Sequence, residues 1–198
     1  DGPDVVEALG VLGLKSPLTG PFHLGGRLAP AADAVGVTLS GEVEGVTASA
    51  QGTVSALLRP DRIDARVEAS GPEAAVVGAW TGVVGVPRRP FDLAGRLNRD
   101  GSRLSFDDLR IHAGGTSLTV SGSLGELPRC VGTDLGFAAT GTDLSELSAL
   151  TRLRLPAKTF RIGGRFLRRL DGLAIDGVEL NTGGATIHAA GTIGEPPR

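Results

Sequence analysis

One octapeptide, Pro90-Phe-Asp-Leu-Ala-Gly-Arg-Leu97, decides how this chain is organised. Close variants of it are Pro21-Phe-His-Leu-Gly-Gly-Arg-Leu28 and Thr159-Phe-Arg-Ile-Gly-Gly-Arg-Phe166, and the phenylalanine of each copy lies 69 residues from the next. The same spacing relates Ser123-Leu-Gly-Glu-Leu-Pro128 to Thr192-Ile-Gly-Glu-Pro-Pro197. A fixed period of this length is typical of a repeat architecture, in which one supersecondary unit recurs along the chain.

The period divides the chain into three tandem repeats. A chain of 198 residues that is 40% hydrophobic is long and apolar enough to bury a core. We therefore predict one repeat-built domain over residues 1–198, with repeats at 2–70, 71–139 and 140–198, the last of them truncated. The chain begins with Asp1, contains no methionine and has no signal segment, which indicates a piece of a longer protein.

Four strands are predicted in each full repeat, because apolar and polar residues alternate. In the octapeptide this alternation places Phe91, Leu93 and Leu97 on one face of a strand and Asp92 and Arg96 on the other. The segments 63–69 and 118–124 alternate in the same way. A helix at 63–69 would bury charge, so only a strand fits that segment.

The alternation changes phase at Asp107-Asp108 and again at Asp176-Gly177. A β-bulge at each place would return the flanking apolar residues to one face. At Asp176-Gly177 a two-residue hairpin turn is the alternative, and the bulge is favoured. The pairs Gly114-Gly115 and Gly183-Gly184 each separate two alternating segments and predict hairpin turns.

A short helix is predicted to open each repeat. Pro3 and Pro72 stand where proline is favoured in a first helical turn, and Asp143 with Glu146 resembles a capping box. The expected length is about ten residues. A proline ends each helix, at Pro17, Pro87 or Pro156.

Glycines in the middle of the apolar strand faces bear on what the strands build. They recur in two strands of every repeat, at Gly26, Gly95 and Gly164 and at Gly52, Gly122 and Gly191. Missing side chains flanked by Phe, Leu and Ile would leave an apolar furrow for acyl chains. Alternatively the glycines let the strands bend without any ligand, and both causes can act together. The predicted fold is all-β with short helices: a curved antiparallel sheet that forms an open β-groove from three tandem repeats, with one short helix opening each repeat.

The combined pattern resembles the repeated region of the AsmA family. It joins a helix start, Gly-Pro-Asp/Glu or Asp-Leu-Ser-Glu-Leu, to the octapeptide and then to Gly-Gly-x-x-Leu/Ile-x-x-x-Gly-x-Leu/Ile-Gly, over the whole chain. The resemblance implies a long periplasmic β-groove, anchored to the inner membrane through an N-terminal segment absent from this sequence. It implies phospholipid transport between the inner and outer membranes of Gram-negative bacteria and outer-membrane homeostasis. The implied partners are phospholipid acyl chains and, through the missing parts of the longer protein, both membranes.

The residues predicted to line the groove share the apolar parity of their strands. They are Phe22, Leu24, Gly26, Leu28, Phe91, Leu93, Gly95, Leu97, Leu118, Val120, Gly122, Phe160, Ile162, Gly164, Phe166 and Ile187. Two functions without lipid cargo stand as alternatives. One is a structural β-repeat array with a closed, dry interior, and the other is a scaffold for outer-membrane protein assembly by strand addition at a sheet edge.

Composition argues against several other classes of protein. The net charge of −2 and pI near 5.9, with interleaved basic and acidic residues, argue against a nucleic-acid surface. His23, His112 and His188 do not fall at equivalent repeat positions or at metal-ligand spacing, so no metal and no cofactor are expected. No catalytic signature is present, and no enzyme activity is expected.

Arginine recurs next to the glycine of each octapeptide copy, at Arg27, Arg96 and Arg165. These side chains have the opposite parity to the phenylalanines, so they are predicted to lie on the solvated outer face of the sheet. Contact with lipid head groups at a groove rim is the less favoured alternative.

Overall fold

The computed structural model describes residue 2 and residues 21–31, 33–43, 45–55, 61–76, 78, 85–125, 131–151, 153–170 and 172–194. Its strands are β1 (Phe22–Ala31), β2 (Ala34–Val43), β3 (Val46–Val54), β4 (Arg62–Gly71), β5 (Phe91–Asp100), β6 (Arg103–Ala113), β7 (Thr116–Leu124), β8 (Thr133–Gly141), β9 (Phe160–Arg169), β10 (Gly172–Thr182) and β11 (Ala185–Gly194). They form a single sheet in which each strand pairs with the next along the chain, always antiparallel. The sheet is open, and β1 and β11 are its edge strands.

The phenylalanine of each octapeptide copy begins a strand, so the strand starts follow the sequence period. Phe22, Phe91 and Phe160 open β1, β5 and β9. The pairs β4–β5 and β8–β9 are antiparallel neighbours although a long connection separates the two strands of each pair. The all-β, antiparallel part of the fold prediction is therefore confirmed.

Helical structure is scarce among the described residues. After β8 a 3₁₀ turn over Leu144–Leu147 runs into one turn of α-helix, α1 (Ser148–Thr151). Asp143 is the N-cap, as predicted, and its carboxylate accepts a 2.8 Å hydrogen bond from the Ser145 backbone N–H. The helix is eight residues in two geometries instead of about ten in one. No helix in the described segments is long and apolar enough to cross a membrane.

The other two predicted helices differ from this one. After β4 only residues 75, 76 and 78 are helical among the described ones, and Pro72 lies in a bend before them instead of in the first helical turn. The helix predicted after Pro3 lies outside the described residues. The described part of the chain therefore does not show a regular helix opening every repeat.

Both predicted bulges are present. The register of β6 with β7 shifts between Phe106 and Leu109, and that of β10 with β11 shifts between Ile175 and Val178. Asp108 has a φ of +54°, in the left-handed region that non-glycine residues rarely adopt. The hairpin alternative at Asp176-Gly177 is wrong, because both residues lie inside β10. The predicted hairpin turns at the two Gly-Gly pairs are confirmed, since they join β6 to β7 and β10 to β11.

The buried core is small and lies where the two connections fold over one end of the sheet. One cluster joins Val46 of β3, Phe91 of β5 and Ala74 of the β4–β5 connection. The other joins Ala139 of β8, Phe160 of β9 and Leu144 of the β8–β9 connection. These six are the buried hydrophobic residues of the described segments. Among the described residues, buried hydrophobic packing is confined to these two clusters.

Candidate functional site

The strand register assigns every strand residue to one of two faces, because residues paired across antiparallel strands lie on the same side. We call the apolar face the one that carries Phe91, Leu93 and Leu97 together with the residues paired to them. The polar face is the one that carries Asp92 and Arg96. Bulges at the two predicted places keep the alternation in phase across the whole sheet.

The apolar face contains all sixteen residues that the sequence predicted to lie together, from Phe22 on β1 to Ile187 on β11. Two of them do not add to an accessible lining. Phe91 and Phe160 are only 4% and 5% exposed, because the connections cover them. The predicted lining is therefore corrected by removing these two residues from it.

Three rows of residues cross the middle of the apolar face from β1 to β11 without a polar side chain. The first is Leu24, Gly41, Ala48, Ala69, Leu93, Ile111, Leu118, Ala139, Ile162, Leu180 and Ile187. The second is Gly26, Leu39, Ala50, Val67, Gly95, Leu109, Val120, Phe137, Gly164, Val178 and Ala189. The third is Leu28, Val37, Gly52, Ala65, Leu97, Phe106, Gly122, Leu135, Phe166, Ile175 and Gly191. We call these the central rows.

The central rows are most open to solvent on the outer strands and are largely half-buried from β4 to β9. Leu24, Leu28 and Ile187 are 60%, 56% and 54% exposed. Ala139 is the only buried residue in the three rows, and the others are half-buried or exposed. A contiguous apolar surface of this kind marks a site that binds a partner or an apolar ligand.

Three of the predicted furrow glycines, Gly52, Gly95 and Gly122, bring strands together and do not open a furrow. A Cβ atom at Gly52 would lie 2.0 Å from the carbonyl oxygen of Asp64, and one at Gly122 would lie 2.1 Å from that of Asp134. At Gly95 the obstacle is the Cα atom of the bulged strand β6. The furrow predicted from missing side chains is therefore wrong at these positions, and close backbone approach is the observed use of glycine.

The other three predicted furrow glycines differ among themselves. Side chains of the neighbouring strand occupy the space next to Gly26 and Gly164, those of Leu39 and Val178 respectively. Gly191 has nothing within 4 Å of the position of a Cβ atom. Of the six predicted furrow glycines, only Gly191 leaves open space.

The two ends of the apolar face differ in polarity. The end that starts with the phenylalanines is covered by the connections described above. At the opposite end Arg99 and Arg168 occupy equivalent positions 69 residues apart, on the same strand faces as Leu97 and Phe166. The sequence analysis missed them, although their parity and period were readable. They place positive charge beside the central rows.

The polar face carries two matching ion pairs. Arg96 on β5 donates hydrogen bonds of 2.6 and 2.5 Å to the carboxylate of Asp64 on β4, and Arg165 on β9 donates the same pair of bonds to Asp134 on β8. These hydrogen bonds hold the pKa of each aspartate below its ordinary value, against a smaller opposing effect of burial. They raise the pKa of each arginine.

The position of these arginines agrees with the prediction that they lie on the face opposite the phenylalanines. Arg96 is 60% exposed and Arg165 is 57% exposed. The two ion pairs join strands of successive repeats. The sequence did not predict these ion pairs. Within the described segments, Arg27 has no such acidic partner.

The hollows whose lining is described lie on the polar face. The largest, about 760 Å³, crosses β1 to β5 and is lined by Glu42, Glu68 and Asp92 among others. A second, about 460 Å³, surrounds the Asp64–Arg96 pair. Charged and polar side chains line these hollows, so they do not correspond to the apolar concave wall that the sequence predicted.

Titratable side chains in the described segments form no group of three or more that would hold a metal ion. Asp107 accepts a 2.8 Å hydrogen bond from Asn98, and Asp108 is paired with Arg110. His112 is 2.7 Å from the Ser117 hydroxyl. These titratable side chains are thus engaged in local contacts on the polar face.

Comparison with known proteins assigns no family. The chain matches no family model, and no curated protein and no solved structure is significantly similar to it. The case for a function therefore rests on the sheet and on the sequence pattern.

Proposed function

We propose that this chain is a non-enzymatic, lipid-handling segment of an AsmA-type periplasmic β-groove, whose apolar face holds phospholipid acyl chains during their passage between the inner and outer membranes. The observation that carries the proposal is the set of three central rows, which cross eleven strands without a polar side chain and are exposed on the outer strands and mostly half-buried between them. Apolar surface in water costs about 25 cal/mol per Å², so such a face favours an apolar ligand.

The dimensions of the central rows suit acyl chains. Ten steps between eleven strands, at about 4.8 Å each, make the face about 48 Å wide. Three rows of alternate residues occupy about 13 Å along each strand. An acyl chain extends over about half of the ~30 Å hydrocarbon core of a bilayer. Several acyl chains, each running along the strand direction, can therefore lie side by side across the width of the sheet.

The two ends of the apolar face give a lipid an orientation. Arg99 and Arg168 place positive charge at one end, and this charge would attract head-group phosphates. The connections close the other end over Phe91 and Phe160. We therefore place the acyl tails on the central rows and the phosphates at the arginine end.

Bending of the sheet toward the apolar face would turn this surface into a groove. Close backbone approach at Gly52, Gly95 and Gly122 supports bending, as do the bulges in β6 and β10. We propose that the three tandem repeats together form this groove.

A structural β-repeat array is the competing function, and one observation favours it. The described hollows lie on the polar face, which leaves the apolar face free to stack flat against another protein layer. That layer would make the interior dry and exclude lipid.

A photo-cross-linking residue in the full chain separates the two functions. Val120 and Thr119 are adjacent, half-buried residues of β7 on opposite faces, so they form a matched pair. The chain is produced in the periplasm of a Gram-negative host, irradiated, and analysed by mass spectrometry for lipid adducts. We expect phospholipid adducts at Val120 and none at Thr119.

Extraction of the purified, unmodified chain provides a second reading. Near-stoichiometric phospholipid is expected. No lipid in the extract and no adduct at Val120 would reject the lipid function, and protein adducts at Val120 would favour the array.

A further inference from the structure

The pairing between β4 and β5 is repeated between β8 and β9 in three details. Each pair begins with a glycine opposite the phenylalanine of the octapeptide, Gly71 with Phe91 and Gly141 with Phe160. In each pair the glycine lies against the ring, because a Cβ atom on it would come within 2.8 or 2.4 Å of the ring Cε1 atom. Each pair also contains a bidentate ion pair between an arginine and the aspartate seven residues before that glycine.

The first of these details recurs at the outer edge of β1. Gly2 forms an isolated antiparallel bridge with Phe22, through backbone hydrogen bonds of 3.1 and 3.0 Å in both directions. A Cβ atom on Gly2 would lie 2.4 Å from the Cε1 atom of the Phe22 ring. Gly2 therefore occupies the position that Gly71 and Gly141 occupy beside their phenylalanines.

The donor half of the third detail is also present on β1. Arg27 has the same place in its strand as Arg96 and Arg165, and it is exposed on the polar face. No acidic group among the described residues pairs with it. Apart from Gly2, no described residue pairs with the outer edge of β1.

We propose that the outer edge of β1 is a docking site for the fourth strand of another repeat of this kind. The occupant is an extended segment with an aspartate seven residues before the position of Gly2, whose carboxylate takes the bidentate hydrogen bonds of Arg27. Main-chain pairing supplies the contact and the guanidinium sets the register. This inference does not depend on lipid binding.

The hydrogen-bond pattern fixes which residues face each other. Gly2 and Phe22 exchange both backbone bonds, so Gly25 occupies a non-hydrogen-bonded position, where facing Cβ atoms are closest. In the β4–β5 pair the equivalent residue, Ala94, faces Glu68. A cysteine at Gly25 is therefore expected to form a disulfide with a cysteine at the Glu68 position of a docked strand.

The test uses the full chain with Gly25→Cys and Cys130→Ser, and a blocked peptide with the sequence of residues 61–69. This peptide stops before the position that Gly2 holds. It carries cysteine in place of Glu68, Val67 or Ala69 in three versions. We expect disulfide formation with the Glu68→Cys peptide, and at least about tenfold less with the other two, whose cysteines face the opposite side of the sheet.

Substitutions then test the ion pair. Arg27→Ala in the chain and Asp64→Asn in the peptide should each weaken capture about threefold to tenfold, with no further loss when combined. Arg27→Lys should fall between, because an ammonium group does not make the planar bidentate contact. Arg103→Ala, on the same sheet but away from both edges, is the control and should leave capture unchanged.

Equal yields from the three cysteine positions would overturn the proposal, because they would show contact without register. Capture that is unaffected by both Arg27→Ala and Asp64→Asn would also overturn it. Loss of lipid adducts at Val120 with retained peptide capture would reject the lipid function alone, so the two proposals fail separately.

Discussion

The covered end and the central rows of the apolar face have similar residues and opposite environments. Phe160, at the start of β9, is 5% exposed under the β8–β9 connection. Phe166, on the same face of the same strand, is only half-buried. Leu24 and Leu28 on β1 are more than half exposed. The described residues of the connections cover the phenylalanine ends of β5 and β9, whereas Leu24 and Leu28 lie on an edge strand.

The covered end and the central rows of the apolar face are expected to contribute differently, the first to stability and the second to ligand binding. Side chains at the covered end stabilise the fold, because their burial removes apolar area from water within the chain itself. Side chains in the central rows are less completely buried, and the apolar area that they leave exposed is a cost unless a ligand or partner covers it. Substitutions at the two places should therefore have different consequences.

Phe160→Ala should have the largest effect on stability. Removing a buried ring leaves a cavity between β9 and Leu144, and the expected loss is about 3–5 kcal/mol in the free energy of unfolding. Phe166→Ala removes the same atoms from a half-buried position and should cost about 1–2 kcal/mol. Chemical denaturation of both variants measures the difference, and equal losses would mean that the connection does not cover Phe160.

Glycine substitutions in the third central row should have the next largest effect on stability. Gly52→Ala and Gly122→Ala place a methyl group onto the backbone of the next strand, and each should destabilise by about 1–3 kcal/mol. Gly191→Ala is the matched control at the equivalent repeat position, because it has nothing within 4 Å. Thermal unfolding of the three variants decides the point. A similar loss at Gly191 would show that close approach does not explain the losses at Gly52 and Gly122.

Replacing the exposed leucines with serine should change stability less than the substitutions of apolar residues described above. It should have the largest effect of these on the amount of bound lipid. Leu24→Ser with Leu28→Ser should alter the free energy of unfolding by no more than about 0.5 kcal/mol each, as for ordinary surface positions. Co-purified phospholipid should fall by at least about half if these side chains contact acyl chains. Unchanged lipid content would remove β1 from the proposed binding face.

The alternation of residues in the sequence predicted the strands, their faces and both bulges, because these depend only on local parity. It did not predict where the connections fold. The burial of Phe91 and Phe160 depends on Ala74 and Leu144, which lie outside their own strands. Parity alone gave all three octapeptide phenylalanines the same role as Leu24.

The glycines were misinterpreted for a related reason. A missing side chain opens space only if the next strand stays at its usual distance. Gly52 and Gly122 instead let the carbonyl groups of Asp64 and Asp134 approach. The ion pairs were missed because Arg96 and Asp64 are 32 residues apart and meet only through strand pairing. Arg99 and Arg168 were readable, since they follow both the period and the parity of the apolar face.

The smallest expected effect concerns the two ion pairs on the polar face. Hydrogen bonds from Arg96 and Arg165 lower the pKa of Asp64 and Asp134 in the folded chain. Groups with a lowered folded pKa contribute stability above their unfolded pKa, about 4, and lose that contribution as the pH falls through the folded value. Because the pairs are exposed, Asp64→Asn with Asp134→Asn should lower the Tm by less than about 3 °C at neutral pH.

The pH profile distinguishes this contribution from a general change in the sheet. The difference in Tm between the parent chain and the double variant should stay constant from neutral pH down to about pH 4 and shrink below it. Asp100→Asn is the control, because Asp100 meets Arg62 only through a single 3.7 Å contact between highly exposed side chains. A difference that grows on acidification would contradict the assignment, since it would require the aspartates to stabilise the fold in their protonated form.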